Sequence, residues 1–331
     1  MKYAFIHAEL GGYPLSIVCR VLGVTPTGYH AWQAKVPSPR DHERDALRAS
    51  IQSVFAAQRS RYAAPRIYPV LCAQHGYSGS LSRIQALMRA MGLRANAGRK
   101  YKVTTDSGHT LPVAANLPGQ DFSCDTSTDS TSHAKAPDQV WLSDITYLWT
   151  GEGWLHVCCV LDLFTRRIVG WSIESHMTRE MVLAALNMAY VNRRVPRGLI
   201  FHSDRGSQYA SADVRAWLAL RGLQQSMSGT GNCYANAPME SFWHSLKVEE
   251  THGQNFATGA AAKHCVFACI EGDWYAPKEV PLGDNTTRMH SSLGYKSPAQ
   301  FEPDCVANTP AANDEQIIQD GHAARLNKRA A

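Results

Sequence analysis

Apolar and polar residues alternate most regularly between positions 139 and 174. Three segments there are rich in β-branched and aromatic residues and are separated by short polar turns: 139–149, 153–163 and 167–174. This pattern predicts a three-stranded antiparallel meander. It is followed by a predicted helix, strand, helix, strand and long helix, at about 178–193, 198–204, 210–221, 223–228 and from Asn236 onward. The order indicates an α/β fold in which a mixed sheet is flanked by helices.

Helical periodicity dominates the first 95 residues. Residues 13–33 predict two short helices around a turn at 23–25, the second beginning near Pro26 with Thr25 or Thr27 as its N-cap. This is the outline of a helix-turn-helix. Its second helix either enters a DNA major groove or forms half of a plain helical hairpin, and the pattern leaves both open. Two amphipathic helices are predicted after it, at about 38–58 and 80–93.

The 331-residue chain is longer than one typical domain, and these patterns divide it into four parts. We expect a helical, helix-turn-helix-like DNA-binding region, a basic and polar linker, an α/β core and a loosely ordered tail, at 1–95, 96–138, 139–302 and 303–331. The apolar run at 154–164 is shorter than the roughly 20 residues of a membrane-spanning helix, and the N-terminus lacks a signal-peptide layout. We therefore expect a cytoplasmic protein with no membrane partner.

Charge is distributed unevenly along the chain. Residues 1–120 carry 15 Lys and Arg against 5 Asp and Glu, whereas residues 121–331 carry 18 against 23. A basic front favours a polyanionic partner, because Lys and Arg gain affinity for phosphates by releasing condensed counterions. Arg99, Lys100 and Lys102 lie together in the polar linker. They are candidates for contacts with a nucleic-acid backbone.

The nine cysteines show neither a paired CxxC layout nor the density of a disulfide scaffold, so reduced thiols are expected. His264, Cys265 and Cys269 are close enough in sequence to suggest a metal site. A structural zinc site requires a second pair of ligands, which is missing from the nearby sequence. Ordinary packing of these cysteines within a helix is the favoured alternative.

Three acids fall where the predicted sheet brings chain segments together. Asp144 is in the middle of the first strand, Asp204 ends the fourth strand, and Glu240 is near the start of the long helix. Strand ends in such a sheet open onto the natural binding crevice. Carboxylates converging there repel one another unless cations lie between them, and hard oxygen ligands suit Mg²⁺ or Mn²⁺. Two such ions about 4 Å apart can activate a nucleophile and stabilise the leaving oxygen in phosphoryl transfer.

Sequence context separates these acids from ordinary surface carboxylates. Asp144 interrupts an apolar strand, where an unpaired charge would be costly to bury, so it needs a partner or a metal. Asp162 shares this property and is a second-rank candidate oriented toward the same pocket. Lys247 follows Glu240 by two helical turns on the same face and is a candidate DNA-phosphate contact. A solvated surface lysine is the alternative.

Four polar residues flank Asp204, namely His202, Ser203, Arg205 and Gln208. They are candidates for positioning a phosphate or a metal-bound water, and Arg205 is also a candidate DNA contact. Capping of the helix that follows is the alternative role for each of them.

Two asparagines, Asn232 and Asn236, precede Glu240 in a Gly-rich loop. They either contact DNA or cap the helix that carries Glu240. Capping is favoured, because an Asn side chain readily accepts a hydrogen bond from the first free N–H groups of a helix.

Residues from about 60 to 302 contain strings that are specific to one protein family. These are TTDSGHTLPVAANL, DQVWLSDITYLWTGEGWLHVCCVLDLFTRRIVGW, HSDRGSQYAS, SMSGTGNCYANAPMESFWHSLKVE and HSSLGYKSP. In these strings the chain resembles the integrase-type transposases of bacterial insertion sequences, specifically the second reading-frame product of the IS-three family.

The resemblance implies a ribonuclease-H-like, retroviral-integrase-type catalytic core over 139–302 with an Asp, Asp, Glu triad. The family's spacing of 35 residues between the second Asp and the Glu is met between Asp204 and Glu240. The resemblance also implies metal-dependent cleavage of double-stranded DNA at the ends of an insertion sequence and transfer of the cut strands to target DNA. It implies an upstream reading-frame product as partner. We further expect a homo-oligomer on DNA, because two DNA ends must be brought together, and a nucleoid-associated location in the cytoplasm.

Two departures from the family pattern bear on activity. Ala235 stands where the family has Asp, so any contribution of that acid to the pocket is lost. An insertion at 276–289 separates Tyr275 from His290 and is expected to disturb DNA contacts at the C-terminal end. The triad itself is intact.

Two other functions stay open from the sequence. A nuclease of the same fold, acting on RNA–DNA hybrids or junctions, would give no strand-transfer products; the basic N-terminal region argues against it. A DNA-binding regulator, or a transposase remnant with impaired catalysis, would occupy element ends without metal-dependent cleavage.

Overall fold

The computed structural model of the chain describes residues 2–34, 38–95, 111–118, 122, 134–229, 236–251, 254–272 and 283–308. Five residues singled out from the sequence lie outside these ranges: Arg99, Lys100, Lys102, Asn232 and Ala235. Within the described ranges, no helix is both long and apolar enough to cross a membrane.

The first three helices share a small core of their own. They are α1 Lys2–Glu9, α2 Leu15–Leu22 and α3 Pro26–Gln33. Thr25 caps α3 by accepting a hydrogen bond from the backbone N–H of Gly28 at 3.1 Å, which decides between the two predicted caps. Gly23 ends α2 with a φ of 63°, a left-handed conformation that glycine adopts without strain. The two short helices predicted over 13–33 are confirmed.

Three further helices form a second helical core: α4 Pro39–Ala57, α5 Ala64–His75 and α6 Leu81–Ala90. α4 begins with a capping box, in which Ser38 and Asp41 exchange hydrogen bonds. α4 and α6 confirm the two predicted amphipathic helices. The sequence pattern does not predict α5, because Pro65 and Pro69 oppose a helix there. Pro65 lies in the first turn, where its missing N–H costs nothing, and Pro69 is tolerated inside the helix.

The α/β core contains a five-stranded mixed sheet in the order β3-β2-β1-β4-β5. Its strands are β1 Val140–Thr150, β2 Gly153–Asp162, β3 Ile168–Glu174, β4 Ile200–Ser203 and β5 Gln224–Met227. β1 to β3 form the predicted antiparallel meander, while β4 and β5 run parallel to β1. The neighbours Trp141 and Leu142 point to opposite faces of β1 and are both fully buried, so both faces of the sheet are covered. The predicted α/β fold class is confirmed.

Helices cover the two faces of this sheet. α7 Arg179–Asn192 and α8 Ala212–Leu220 pack on one face. The other face is covered by α9 Ala237–Ser245, by the π-helical turn Leu246–Thr251 that continues it, and by α10 Gly259–Glu271. The long helix predicted from Asn236 is therefore a short α-helix followed by a π-helical turn. Cys265 and Cys269 lie in α10 and pack against the core on this face of the sheet, which is the helix-packing role favoured from the sequence.

Segments on either side of the sheet region also contact it. Residues 111–118, from the predicted linker, run beside β5, where the Leu117 N–H donates to Ser226 Oγ at 2.9 Å. At the other end, α11 Pro298–Asn308 follows a 3-10 turn at Ser291–Leu293. Residues 303–308 are thus helical where the sequence predicts a loose tail.

The insertion at 276–289 has a structural role in the part that the structure describes. The side-chain amide of Asn285 accepts a hydrogen bond from the backbone N–H of Ile168 at 2.8 Å and donates one to its carbonyl oxygen at 2.9 Å. Asn285 thereby pairs both backbone hydrogen-bonding groups of Ile168, the first residue of β3, as a neighbouring strand would.

β3 and α7 approach so closely at Gly170 that no side chain fits between them. A Cβ there would overlap the carbonyl oxygen of Ala185 and lie 2.7 Å from the backbone nitrogen of Ala189. We expect Gly170→Ala to lower the free energy of unfolding by roughly 1–3 kcal/mol, the usual cost of overpacking, measured by denaturant titration. Gly12→Ala is the control, because nothing lies within 4 Å of an added Cβ there. Equal losses in both variants would assign the effect to backbone flexibility and not to packing.

Candidate active site

Asp144 lies on β1 beyond the point where its pairing with β4 ends, at Leu142. Its Oδ1 accepts a hydrogen bond from the backbone N–H of Ile145 at 2.9 Å, and its Oδ2 accepts one from the indole Nε1 of Trp243 at 3.0 Å. These two donors orient the carboxylate. Trp243 is not anticipated from the sequence, yet its spacing of three residues after Glu240 places both on neighbouring positions of one helix face. α9 therefore carries both the acid Glu240 and the hydrogen-bond donor to Asp144.

Asp204 directly follows β4, which runs parallel to β1. Its Oδ1 accepts a hydrogen bond from the backbone N–H of Gly206 at 3.0 Å in a tight turn, where an added Cβ on Gly206 would lie 3.1 Å from the same oxygen. Burial, and then the negative charge of Asp204, raise the pKa of Asp144 to about 7. The two carboxylates therefore lie close enough to repel each other.

Glu240 lies in the first turn of α9 and is exposed. A helix N-terminus stabilises a negative charge at this position. The charge of Glu240 also raises the pKa of Asp144, but it is the weakest of the influences on that carboxyl. Nowhere in the described ranges do three His, Cys, Asp or Glu side chains form a ready-made metal-binding group. The fold brings Asp144 and Asp204 together and couples Glu240 to them more weakly.

A buried polar cluster adjoins the two aspartates and is not anticipated from the sequence. The hydroxyls of Tyr209 and Ser143 are 2.9 Å apart, and Ser143 Oγ donates to the carbonyl oxygen of Cys159 at 2.9 Å. Burial, with the nearby Cys158 thiol and the charge of Asp144, raises the pKa of Tyr209 well above its usual value. Tyr209 therefore stays protonated and donates to Ser143, which fixes the backbone next to Asp144.

Asn236 immediately precedes α9, but its side chain makes no capping hydrogen bond, so the favoured capping interpretation is wrong. Its Nδ2 instead donates to the carbonyl oxygen of Ser143 at 3.1 Å. The side chain is buried, and its Oδ1 has no hydrogen-bond partner among the described residues. Asn236 thus ties the start of the Glu240 helix to the residue that precedes Asp144.

Lys247 lies in the π-helical turn that continues α9. Its Nζ is 5.0 Å from the centre of the Tyr147 ring. Burial lowers the pKa of Lys247 to about 8, and the negative charge of Asp144 opposes that shift. Lys247 is therefore a half-buried cation within electrostatic reach of the aspartate pocket.

The polar residues that flank Asp204 contact different parts of the core. His202 Nδ1 lies 2.9 Å from Ser226 Oγ. Arg205 Nε donates to the carbonyl oxygen of Ser228 at 2.6 Å, and Gln208 Nε2 donates to that of Met177 at 3.3 Å. His202 is fully buried. The N-cap of α8 is Ser211, so the alternative that one of these residues caps this helix is wrong.

Asp162 is oriented away from the pocket that its sequence context predicts. Its carboxylate accepts hydrogen bonds from the backbone and hydroxyl of Thr165, at 2.9 and 2.6 Å, and from the backbone of Asp138 at 3.0 Å. Burial raises the pKa of this carboxyl to about 6. Asp162 holds the β2–β3 turn, and the expectation that it faces the catalytic pocket is wrong.

Two family models match parts of the chain. The model described as "Integrase core domain" matches residues 134–233, which include Asp144 and Asp204, and the match ends before Glu240. The model described as "HTH-like domain" matches residues 42–101, which include α5, α6 and most of α4. It does not include the helix-turn-helix outline at 13–33.

Curated relatives match almost the whole chain. Transposase InsF for insertion sequence IS3A, from Escherichia coli (strain K12), is 40% identical over 304 residues, covering 91% of this chain and 98% of the relative. The chain belongs to the IS3 family of transposases. The Shigella sonnei protein called "Insertion element IS600 uncharacterized 31 kDa protein" is also similar to this transposase. The two are 38% identical, and the match covers 86% of the transposase and 97% of the relative.

Solved structures are more distant from this transposase. The simian T-cell lymphotropic virus intasome in complex with PP2A regulatory subunit B56 gamma shares 13% identity at a TM-score of 0.39, covering 73% of this chain and 71% of that one. The HTLV-2 integrase catalytic core domain in complex with magnesium (dimeric form) shares 12% at 0.33, covering 53% and 98%. The integrase-type fold of the transposase rests on its sheet order and its family match.

Proposed function

We propose that Asp144, Asp204 and Glu240 are the catalytic carboxylates of this transposase and that they hold two Mg²⁺ or Mn²⁺ ions. The observation that carries the proposal is the pair of carboxylates at Asp144 and Asp204, whose proximity and burial are electrostatically unfavourable without a cation. Their donor atoms are oxygens, which these hard ions prefer. The residues present therefore fit a divalent-metal site.

The family and the integrase core domain support DNA cleavage and strand transfer in transposition, which is polynucleotidyl transfer. When bound, two divalent ions activate the attacking water or 3′-hydroxyl and stabilise the departing oxygen. The chain itself supplies positioning. Trp243 holds the Asp144 carboxylate, and Asn236 holds the start of the Glu240 helix beside β1. Lys247 is a cation placed to bind a DNA phosphate next to the carboxylates.

DNA is the partner supported by the HTH-like and integrase core domains. We propose the division predicted from the sequence, with the catalytic core at 139–302 extended to residue 308 by α11. Candidate DNA contacts besides Lys247 are Arg205, Arg99, Lys100 and Lys102; His202, Gln208 and Asn232 are candidates for a supporting role. We also propose a homo-oligomer, because two DNA ends must be joined, and we propose that it acts with the upstream reading-frame product at the nucleoid.

Crystals soaked in Mn²⁺ test the metal assignment directly. We expect anomalous density between the Asp144 and Asp204 carboxylates, and its loss in Asp204→Asn. Anomalous density elsewhere with none at this pair would contradict the assignment. Tight DNA binding without any metal-dependent cleavage would then favour the regulator or remnant.

Removing the hydrogen bond from Trp243 to Asp144 should weaken metal binding. In Trp243→Phe we expect the Mn²⁺ concentration for half-maximal strand cleavage to rise roughly 10- to 100-fold, the usual effect of losing a group that orients a ligand. Trp171→Phe is the matched control, because Trp171, on β3, donates its indole N–H to Glu271 at the end of α10, at 3.2 Å. Equal metal requirements in the two variants would show that the indole N–H of Trp243 has no such role.

A further inference from the structure

An aromatic cluster stands on one exposed face of the β1–β2 hairpin. Trp149 and Trp154 are 61% and 50% exposed, and Tyr147 is 37% exposed. The ring centre of Trp154 lies 4.8 Å from that of Trp149 and 5.0 Å from that of Tyr147, in edge-to-face arrangements. We call these three residues the aromatic platform. Large aromatic rings left in water together mark an interaction surface, because they forgo the stabilisation that burial would give.

The platform is held in place by the rest of the core. Leu148 and Leu155, on the opposite face of the same hairpin, are buried in the core under α9 and α10. The hairpin tip is fixed by a hydrogen bond from the Gly151 N–H to the carbonyl oxygen of Phe256 at 2.8 Å. The rings are therefore held in a fixed arrangement before any partner binds. This lowers the conformational-entropy cost of binding, because the side chains lose little freedom in the complex.

The platform begins near the active site but on the other face of β1. Tyr147 follows Asp144 by three residues, which is roughly 10 Å along a strand, and strand alternation points the two side chains to opposite faces. Lys247 connects the two places, because its Nζ lies 5.0 Å from the centre of the Tyr147 ring and it is also within the field of Asp144. On the far side, His156 and its cross-strand neighbour Glu174 border the platform. A polyanion would thus follow the Lys247 side and avoid Glu174.

We propose that the aromatic platform stacks unpaired bases of the DNA strand that passes Lys247 at the active site. Bases within a duplex stack on one another, whereas unpaired bases offer free faces to aromatic side chains. Lys247, at one end, can bind a phosphate, and the neutral rings beyond it can stack bases. Together they fit one strand of frayed or cut DNA, which offers both groups. The platform thereby holds the strand end in position during cleavage and transfer. This inference rests on the proposed active site at Asp144, Asp204 and Glu240.

The experiment uses full-length protein with Glu240→Gln, in Mg²⁺, and two probes. One is a DNA duplex with a short 3′ single-stranded overhang carrying 2-aminopurine, whose fluorescence falls on stacking; the other is the same duplex made blunt. We expect the overhang probe to be quenched on binding. Trp149→Ala and Trp154→Ala should each weaken its binding by roughly 5- to 150-fold, the equivalent of one lost stacking contact, and should restore the fluorescence. Binding of the blunt duplex should stay unchanged.

Trp149→Phe and Trp154→Phe should keep most of the affinity, because an aromatic ring remains. Leu220→Ala is the control, since Leu220 is 82% exposed on α8 and should affect neither probe. Equal weakening for both probes, or an unquenched overhang in the tryptophan-containing protein, would overturn the proposal. So would a change of oligomeric mass in light scattering with DNA binding intact, which would make the platform a protein interface. Cutting of the probe by Glu240→Gln would instead refute the proposed triad, and it is scored separately on a gel.

Discussion

Replacing Asp144 with Asn should lower the frequency of transposition by about a thousandfold or more. The change preserves the shape of the side chain and removes the negative charge that the proposed metal ions require. Loss of several kcal/mol of transition-state stabilisation corresponds to a rate factor of that order. The measurement uses a bacterial strain in which an element carrying a resistance gene between its own ends is mobilised by this protein and its upstream reading-frame product.

Asp213→Asn is the matched control. Asp213 is an exposed acid on α8 that pairs with the equally exposed Arg179, and such pairs contribute roughly 0–1 kcal/mol. We expect wild-type transposition in this variant. An Asp144→Asn protein that folds and still transposes at the wild-type frequency would remove Asp144 from the catalytic set.

The Asp144→Asn substitution should not lower the stability of the folded protein. The pKa of Asp144 in the folded protein, about 7, lies above the roughly 4 of an unfolded aspartate. The folded state therefore binds the proton more tightly, and the wild-type protein loses stability as the pH rises from about 4 to about 7. Asn carries no such cost. In metal-free buffer above pH 7, thermal unfolding of Asp144→Asn should occur at or above the wild-type temperature, so that lost transposition reports on chemistry.

Much of the sheet could be predicted from the sequence because its signals are local. Strand alternation and short polar turns define β1 to β3, and their antiparallel order follows from the short connections. Local capping chemistry similarly locates α3, through Thr25. α5 escaped prediction because Pro69 inside it is tolerated only in the context of the packed helices. The π-helical turn after α9 has no local signal at all.

The catalytic acids could be proposed from residue type and spacing, but their supporting contacts could not. Trp243 and Asn236 bond to Asp144 and Ser143, about a hundred positions away, and such pairs depend on the whole fold. The position of Asn236 in the sequence is typical of a helix N-cap, yet its amide N–H donates to the carbonyl oxygen of Ser143 on β1. Asp162 shows the reverse error: an acid in an apolar strand was satisfied by its own turn.

The second large effect concerns stability. Glu249 and Glu250, in the π-helical turn beside Lys247, are paired with arginines from two other parts of the chain. Arg61, from the α4–α5 connection, lies 2.7 Å from Glu250. Arg288, from the described part of the insertion, contacts both Glu249 and Asp284, the latter at 3.1 Å. These charges are largely buried, so each one depends on its partners.

We expect Arg288→Met to lower the free energy of unfolding by up to roughly 3–5 kcal/mol, because the buried Glu249 would keep only Arg66, at 3.3 Å, and the buried Asp284 only His290, at 3.5 Å. Denaturant titration measures the loss. Arg179→Met, which breaks only exposed pairs, should cost less than about 1 kcal/mol. Adding Glu249→Gln and Asp284→Asn to Arg288→Met should recover part of the loss, since the two buried negative charges that lost Arg288 are then gone. If the triple variant is no more stable than Arg288→Met alone, the arginine stabilises the protein through packing of its stem, and the charges of this cluster do not decide the stability of the turn that carries Lys247.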